Sequence, residues 1–142
     1  MESLIILQAR TSSTRLPGKA LLPVAGYPSA VLAALRASNL GAQVLVATSD
    51  DPTDDALAAA LSGYGIRVFR GPMQDVLSRY ALAASDLHDE DVVIRFTGDN
   101  VVPDGSYAAE LFAAFVSSGL EYLRGNSVQS RLPYGLGGEA FS

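Results

Sequence analysis

Cysteine is absent from the chain and histidine occurs once, as His88. The first absence excludes disulfides, thiolate metal sites and a cysteine nucleophile. The second excludes a histidine-based triad or zinc centre, since His88 sits in the polar stretch Asp86-Leu-His-Asp-Glu-Asp91. No apolar run approaches the roughly 20 residues that span a bilayer, so membrane insertion is not expected. At the N-terminus Glu2 stands where a secretory leader wants a base, and the apolar run Leu4-Ile-Ile-Leu7 ends at Gln8; a cytoplasmic protein is expected. Positive charge is scarce too. The net charge is −5, which argues against a nucleic-acid partner bound through many phosphate contacts.

What is present fits one domain over residues 1–142, with 49% apolar residues to form a core. Apolar runs alternate with helical patterns. Strands are expected at Leu4–Ala9, Gln43–Thr48, Ile66–Arg70, Asp91–Thr97 and Leu120–Arg124, and helices at Pro28–Ser38, Thr53–Tyr64, Met73–Leu87 and Gly105–Ser118. Short apolar strands separated by helices are the pattern of βαβ units, so the fold class is α/β, with a mainly parallel sheet flanked by helices on both faces. The chain closes on what reads as a further strand with nothing to cover it.

The positive charge that exists is concentrated. Directly after the first strand, Gln8-Ala-Arg-Thr-Ser-Ser-Thr-Arg-Leu-Pro-Gly-Lys19 places Arg10, Arg15 and the only lysine, Lys19, in a loop with four hydroxyl residues. In open α/β sheets ligands bind at the carboxyl ends of the strands, where this loop begins. Extended at ~3.3 Å per residue, its ten steps from Ala9 reach about 33 Å, enough to wrap a triphosphate and return. Two forked guanidiniums and a point charge suit phosphate oxygens, and Pro17-Gly18 turns the lysine back. A solvated loop carrying charge for solubility is the alternative. Neither a Walker loop nor a dinucleotide fingerprint is present, since Ser13 and Ala20 stand at the positions a Walker loop requires to be Gly and Ser or Thr.

The pattern that fits is Ala-Arg-x-x-Ser-x-Arg-Leu-Pro-Gly-Lys, from Ala9 to Lys19. The stretch Ile6–Gly26 resembles the N-terminus of the CMP-sugar synthetase group, most closely its spore-coat polysaccharide biosynthesis cytidylyltransferase branch. Three further blocks agree in order: Val46-Ala-Thr-Ser-Asp-Asp-Pro-Thr-Asp-Asp55, Val68-Phe-Arg-Gly-Pro-Met-Gln-Asp-Val-Leu-Ser-Arg-Tyr80 and Val93-Ile-Arg-Phe-Thr-Gly-Asp-Asn100. The resemblance implies a three-layer α/β/α nucleotide-diphospho-sugar transferase-like, Rossmann-like domain. Members of this group usually continue well past the position of Ser142, so this chain is expected to lack the C-terminal part of the family fold. That part often carries the dimer contacts, which makes a homodimer the implied assembly.

The resemblance also implies a site. Gln8, Ala9, Arg10, Ser13, Arg15 and Lys19 would hold the nucleotide, with Thr97 and Gly98 beside them. Gly71, Asp75 and Arg79 would close over base and ribose; an exposed Asp75–Arg79 ion pair along one helix is the other reading of that spacing. Asp99 would hold Mg²⁺, although a lone strand-end Asp is also a common turn or cap residue. Asp50, Asp51, Asp54 and Asp55 resemble a metal cluster, but their Pro-containing turn favours helix capping. The segment Pro133-Tyr-Gly-Leu-Gly-Gly-Glu139 resembles a family segment reading Pro-x-Gly-Leu-Asp-x-Glu. Glu139, a second candidate metal ligand, is kept; Gly137 replaces the expected Asp. The implied activity is attack by a sugar oxygen on the α-phosphorus of CTP, giving a CMP-sugar and diphosphate, with Arg10, Arg15, Lys19 and Asp99 as the catalytic set. A non-catalytic nucleotide-binding or assembly module, and transfer from another nucleotide, remain the alternatives.

Overall fold

The computed structural model describes residues 1–125, 131, 133 and 136–142, so Tyr134 and Gly135 of the Pro133–Glu139 segment lie outside the described residues. Along the chain run β1 (Ser3–Gln8), a 3-10 turn at Lys19–Leu21, a small hairpin of β2 (Pro23–Val24) and β3 (Tyr27–Pro28), α1 (Ser29–Ala37) and β4 (Gln43–Ser49). A second 3-10 turn (Pro52–Asp54) leads into α2 (Asp55–Gly63), followed by β5 (Arg67–Gly71), α3 (Val76–Ala83) and β6 (Val92–Thr97). The chain ends with α4 (Gly105–Ser118), β7 (Tyr122–Gly125) and β8 (Gly138–Phe141).

The main sheet has the order β5-β4-β1-β6-β8-β7. β5, β4, β1 and β6 are parallel neighbours, with Gln8 opposite both Ala47 and Thr97. The first strand is central, as its composition requires. Leu4, Ile5, Ile6 and Leu7 are all buried, and sinking such side chains contributes about 1.5–3 kcal/mol each. Alternation sends Ile5 and Leu7 to one face, where Val31 of α1, Leu57 and Leu61 of α2 and Leu111 and Phe115 of α4 cover them. Leu4 and Ile6 face the other way, toward Tyr80 of α3. Among the described residues no helix is long and apolar enough to cross a membrane.

Three elements differ from expectation, each for a local reason. The helix expected over 73–87 is shorter because the Asp75 carboxylate accepts hydrogen bonds from the backbone N–H and hydroxyl of Ser78, at 2.9 and 2.6 Å, starting α3 at Val76. The helix expected from Thr53 begins with a 3-10 turn: Asp51 caps it by accepting from Thr53 N–H, while the Asp54 side chain turns inward. The last strand is not an uncovered edge. β8 runs antiparallel between β6 and β7, with Glu139 opposite Arg95 on one side and Arg124 on the other. Its ladder groups are therefore paired on both sides, and β7 forms that edge of the sheet.

Candidate functional site

The loop after β1 is closed on itself. The carbonyl of Thr11 accepts hydrogen bonds from Ser13 N–H and from Gly18 N–H, both at 2.9 Å, and the Ser13 hydroxyl accepts from Leu16 N–H at 3.3 Å. Gly18 has a φ of 71°, a left-handed conformation that favours glycine, and the turn it makes opens the 3-10 segment beginning with Lys19. Ser29 at the start of α1 donates its hydroxyl to the Lys19 carbonyl at 2.7 Å, fixing the lysine backbone.

Lys19 reaches across the sheet end. Its Nζ lies 2.7 Å from Asp99 Oδ2, joining the loop after β1 to the loop after β6. This hydrogen bond is the main reason the Asp99 carboxyl is held below the ordinary aspartate range, against the opposing effect of burial. The two loops approach closely because residue 98 is glycine. A Cβ there would lie 2.6 Å from the Ala9 Cβ, and Gly98 N–H donates to the Gln8 carbonyl at 2.8 Å.

Between these loops lies an open cavity of 380 Å³, large enough for a nucleotide triphosphate moiety, whose wall includes Gln8, Arg10, Ser13, Arg15, Lys19 and Asp99. Ala9, Thr97 and Gly98 complete that side. Nine of the candidate residues are thus brought to one place.

Gly71, Asp75 and Arg79 do not line this cavity. Asp75 is occupied as the cap of α3 and makes no ion pair with Arg79 among the described residues. Arg79 is wholly buried; its Nη1 donates to the carbonyls of Pro72 and Met73 at 2.9 and 3.3 Å. Burial, followed by the like charge of Arg10, lowers its pKa from the ordinary guanidinium value. Gly71 leaves room for the Phe69 ring: a Cβ at position 71 would lie 2.7 Å from Phe69 Cε1, while Arg79 Cγ at 3.4 Å would be in ordinary contact.

Glu139 is not brought to Asp99. The register of β8 sets it opposite Arg95, four residues before Asp99, and its Oε2 lies 2.8 Å from Arg95 Nη1. The pair lies in a separate, mainly apolar groove of 650 Å³ between α3 and β6–β8–β7, with Tyr80, Tyr122 and Phe141. Gly137 directly precedes β8, and a Cβ there would meet nothing within 4 Å among the described residues.

One residue of consequence escaped sequence reasoning. Asp54 is fully buried and accepts from Thr11 N–H at 2.8 Å and the Thr11 hydroxyl at 2.7 Å with one oxygen. Its other oxygen accepts from Ser49 N–H at 3.3 Å and from the Ser49 hydroxyl. It ties the base of the loop to the end of β4. In sequence it was one of four aspartates in a capping pattern; only its burial and its distance from Thr11 in the chain distinguish it.

A cation-rich, hydroxyl-rich loop at the carboxyl ends of parallel strands, facing the Asp99 carboxylate on the next strand end, defines an α/β domain whose ligand-binding edge suits anions. The chain belongs to the cytidylyltransferase family, whose match covers residues 4–127. It is 35% identical over 125 residues to the spore coat polysaccharide biosynthesis protein SpsF of Bacillus subtilis, covering 84% of this chain and 52% of that protein. To the 3-deoxy-manno-octulosonate cytidylyltransferase of Agrobacterium fabrum it is 36% identical over 101 residues, covering 69% of this chain and 40% of that one. The chain thus spans about half the length of these relatives. The solved structure of a cytidylyltransferase from Leptospira borgpetersenii superimposes with a TM-score of 0.87 and 30% identity, over all of this chain and 60% of the other. CMP:2-keto-3-deoxy-manno-octonic acid synthetase, solved with CTP, shares the fold at a TM-score of 0.71 and 20% identity, over 91% of this chain and 55% of that one.

Proposed function

We propose that this domain binds CTP and transfers its cytidylyl group to a sugar, giving a CMP-sugar and diphosphate for surface polysaccharide synthesis in the cytoplasm. The observation that carries this reading is the convergence of Arg10, Arg15 and Lys19 with Asp99 around one 380 Å³ cavity. Such transfer needs positioning and neutralisation of charge more than a side-chain nucleophile. Arg10 and Arg15 present planar forks to phosphate oxygens, and Lys19 has three donors, so it can keep Asp99 and still bind an oxygen of the leaving diphosphate. Asp99 is ionised at neutral pH and half exposed on the wall, which makes it a hard oxygen donor suited to Mg²⁺. Among the described residues no three acidic or histidine side chains gather, so Asp99 would share the ion with phosphate oxygens and water. When bound, Mg²⁺ neutralises triphosphate charge.

A second reading, a domain that holds the nucleotide without turnover, is favoured by Gly137, which stands where the resembling family segment has an aspartate. Release of diphosphate from CTP in the presence of acidic sugars decides between them. The expected result is Mg²⁺-dependent release with CTP over other nucleotides, lost in Asp99→Ala. Tight CTP binding with no release supports the holding module, and no CTP binding at all refutes both.

A further inference from the structure

Arg79 presents a physical problem. Its guanidinium is sealed from solvent, and among the described residues no carboxylate lies within ion-pair distance of it, while its Nε and Nη2 have no hydrogen-bond partner. Burying a charge without a direct ion-pair partner is costly: Asp54 and Asp50 act on it only beyond ion-pair distance, and Asp75, four residues before it, is committed to capping. What the side chain does achieve is local. One nitrogen, Nη1, gathers two successive carbonyls, Pro72 at 2.9 Å and Met73 at 3.3 Å. The Met73 carbonyl has a second donor: Arg10 Nη1 reaches it at 3.0 Å from the loop side. A single carbonyl therefore accepts from two guanidiniums, one fully buried and one forming part of the cavity wall.

We propose that Arg79 is a positioning residue for Arg10. It fixes the Pro72–Met73 carbonyls, and through Met73 it sets the direction in which Arg10 presents its remaining donors to phosphate. Arg79 itself, with no exposed surface, does not touch the nucleotide. The chain of contacts has three links, Arg79 to Met73 O to Arg10. Nη1 makes both carbonyl bonds, and a lysine at position 79 ends one bond short of that nitrogen and cannot hold both carbonyls in the same place. The inference deepens the triphosphate-binding reading and rests on it for its ligand-dependent half.

The experiment has two arms, on wild type, Arg79→Lys, Arg10→Ala and the double variant. The first reads the Arg10 guanidinium by nitrogen-15 NMR in the ligand-free protein: rotation about its Cζ–Nε bond is slowed in wild type and becomes fast in Arg79→Lys. The second measures affinity for CTP and for inorganic triphosphate by calorimetry. Loss of one such aiming bond predicts a fall of about three- to tenfold when Arg79→Lys is made in the wild type, and less than about twofold when it is made in Arg10→Ala. Equal factors in both backgrounds, or an Arg10 spectrum unchanged by Arg79→Lys, overturn the proposal, because a merely packing role would lower affinity regardless of Arg10. If Arg79→Lys does not fold, Arg79→Gln, which keeps one donor without the charge, is read the same way; if neither folds, Arg79 is a packing residue and the proposal fails. Should wild type bind neither ligand, the functional reading falls while the NMR arm still decides the positioning.

Discussion

Asp54→Asn is the perturbation with the best-defined magnitude. Asparagine has the size of aspartate but replaces one acceptor oxygen with an amide that can only donate. In wild type each oxygen faces one backbone N–H and one hydroxyl, from Thr11 on one side and Ser49 on the other. Whichever way the amide turns, the facing hydroxyl can rotate and become an acceptor, whereas the N–H of Thr11 or Ser49 cannot. One backbone donor is left without a partner, at about 1–3 kcal/mol, and the remaining bonds lose their charge assistance, worth about a further 1 kcal/mol. The total is about 2–4 kcal/mol; at ~3 °C per kcal/mol for a domain of this size, Tm should fall by about 6–12 °C.

Acid provides an internal control on that number. Burial raises the pKa of Asp54, but the hydrogen bonds from Ser49 and Thr11 outweigh it and leave the carboxyl below the ordinary range. A carboxyl depressed in the folded state contributes stability that is full above the unfolded pKa and is lost as pH falls through the folded value. The gap in Tm between wild type and Asp54→Asn should therefore narrow as pH drops below 3.8, the ordinary aspartate value. Calorimetric melts of both proteins from pH 7 to pH 2.5 test this. A variant melting within about 2 °C of wild type at pH 7 would refute the reasoning, since the buried N–H would then have found another partner.

Lys19→Ala removes a charge-assisted phosphate contact worth about 1.5–3 kcal/mol, so CTP affinity should fall about tenfold or more by calorimetry. Stability should barely change, because the Lys19–Asp99 pair is partly solvated and such pairs contribute about 0–1 kcal/mol. Lys19→Arg should restore only part of the affinity; equal binding by all three proteins would mean that Lys19 does not meet the nucleotide. Gly137→Asp adds a Cβ that meets nothing within 4 Å among the described residues, so it should keep the wild-type Tm while tightening Mg²⁺-coupled CTP binding by about threefold or more, as a second carboxylate suits the ion. Unchanged Mg²⁺ coupling in a folded variant would count against a metal site at this end of β8.

Much of the site was legible because its parts are local. Arg10 to Lys19 form one cation-rich and hydroxyl-rich loop, and Gly98-Asp99 follow an apolar strand that has to end at the same edge of a parallel sheet as β1, so the two line one cavity. The central place of β1 was legible for the same reason: a run of four buried aliphatics has no stable position except between neighbours on both sides.

What periodicity could not convey was pairing between segments distant in the chain. Glu139 reads as a metal ligand by its motif, yet the antiparallel register of β8 sets it against Arg95. Asp75 and Arg79 read as nucleotide-binding residues by their motif, or as an ion pair by their spacing, yet helix capping takes the first and burial the second. Asp54 reads as one more capping acid, yet it faces inward to hold Thr11, 43 residues away in sequence. In each case the amino-acid order set which groups were available, because charge, hydrogen-bonding capacity and local turn preference are properties of short segments. Tertiary structure alone decided which partner each group met, because that choice depends on strand register and desolvation, and both arise only when remote segments pack.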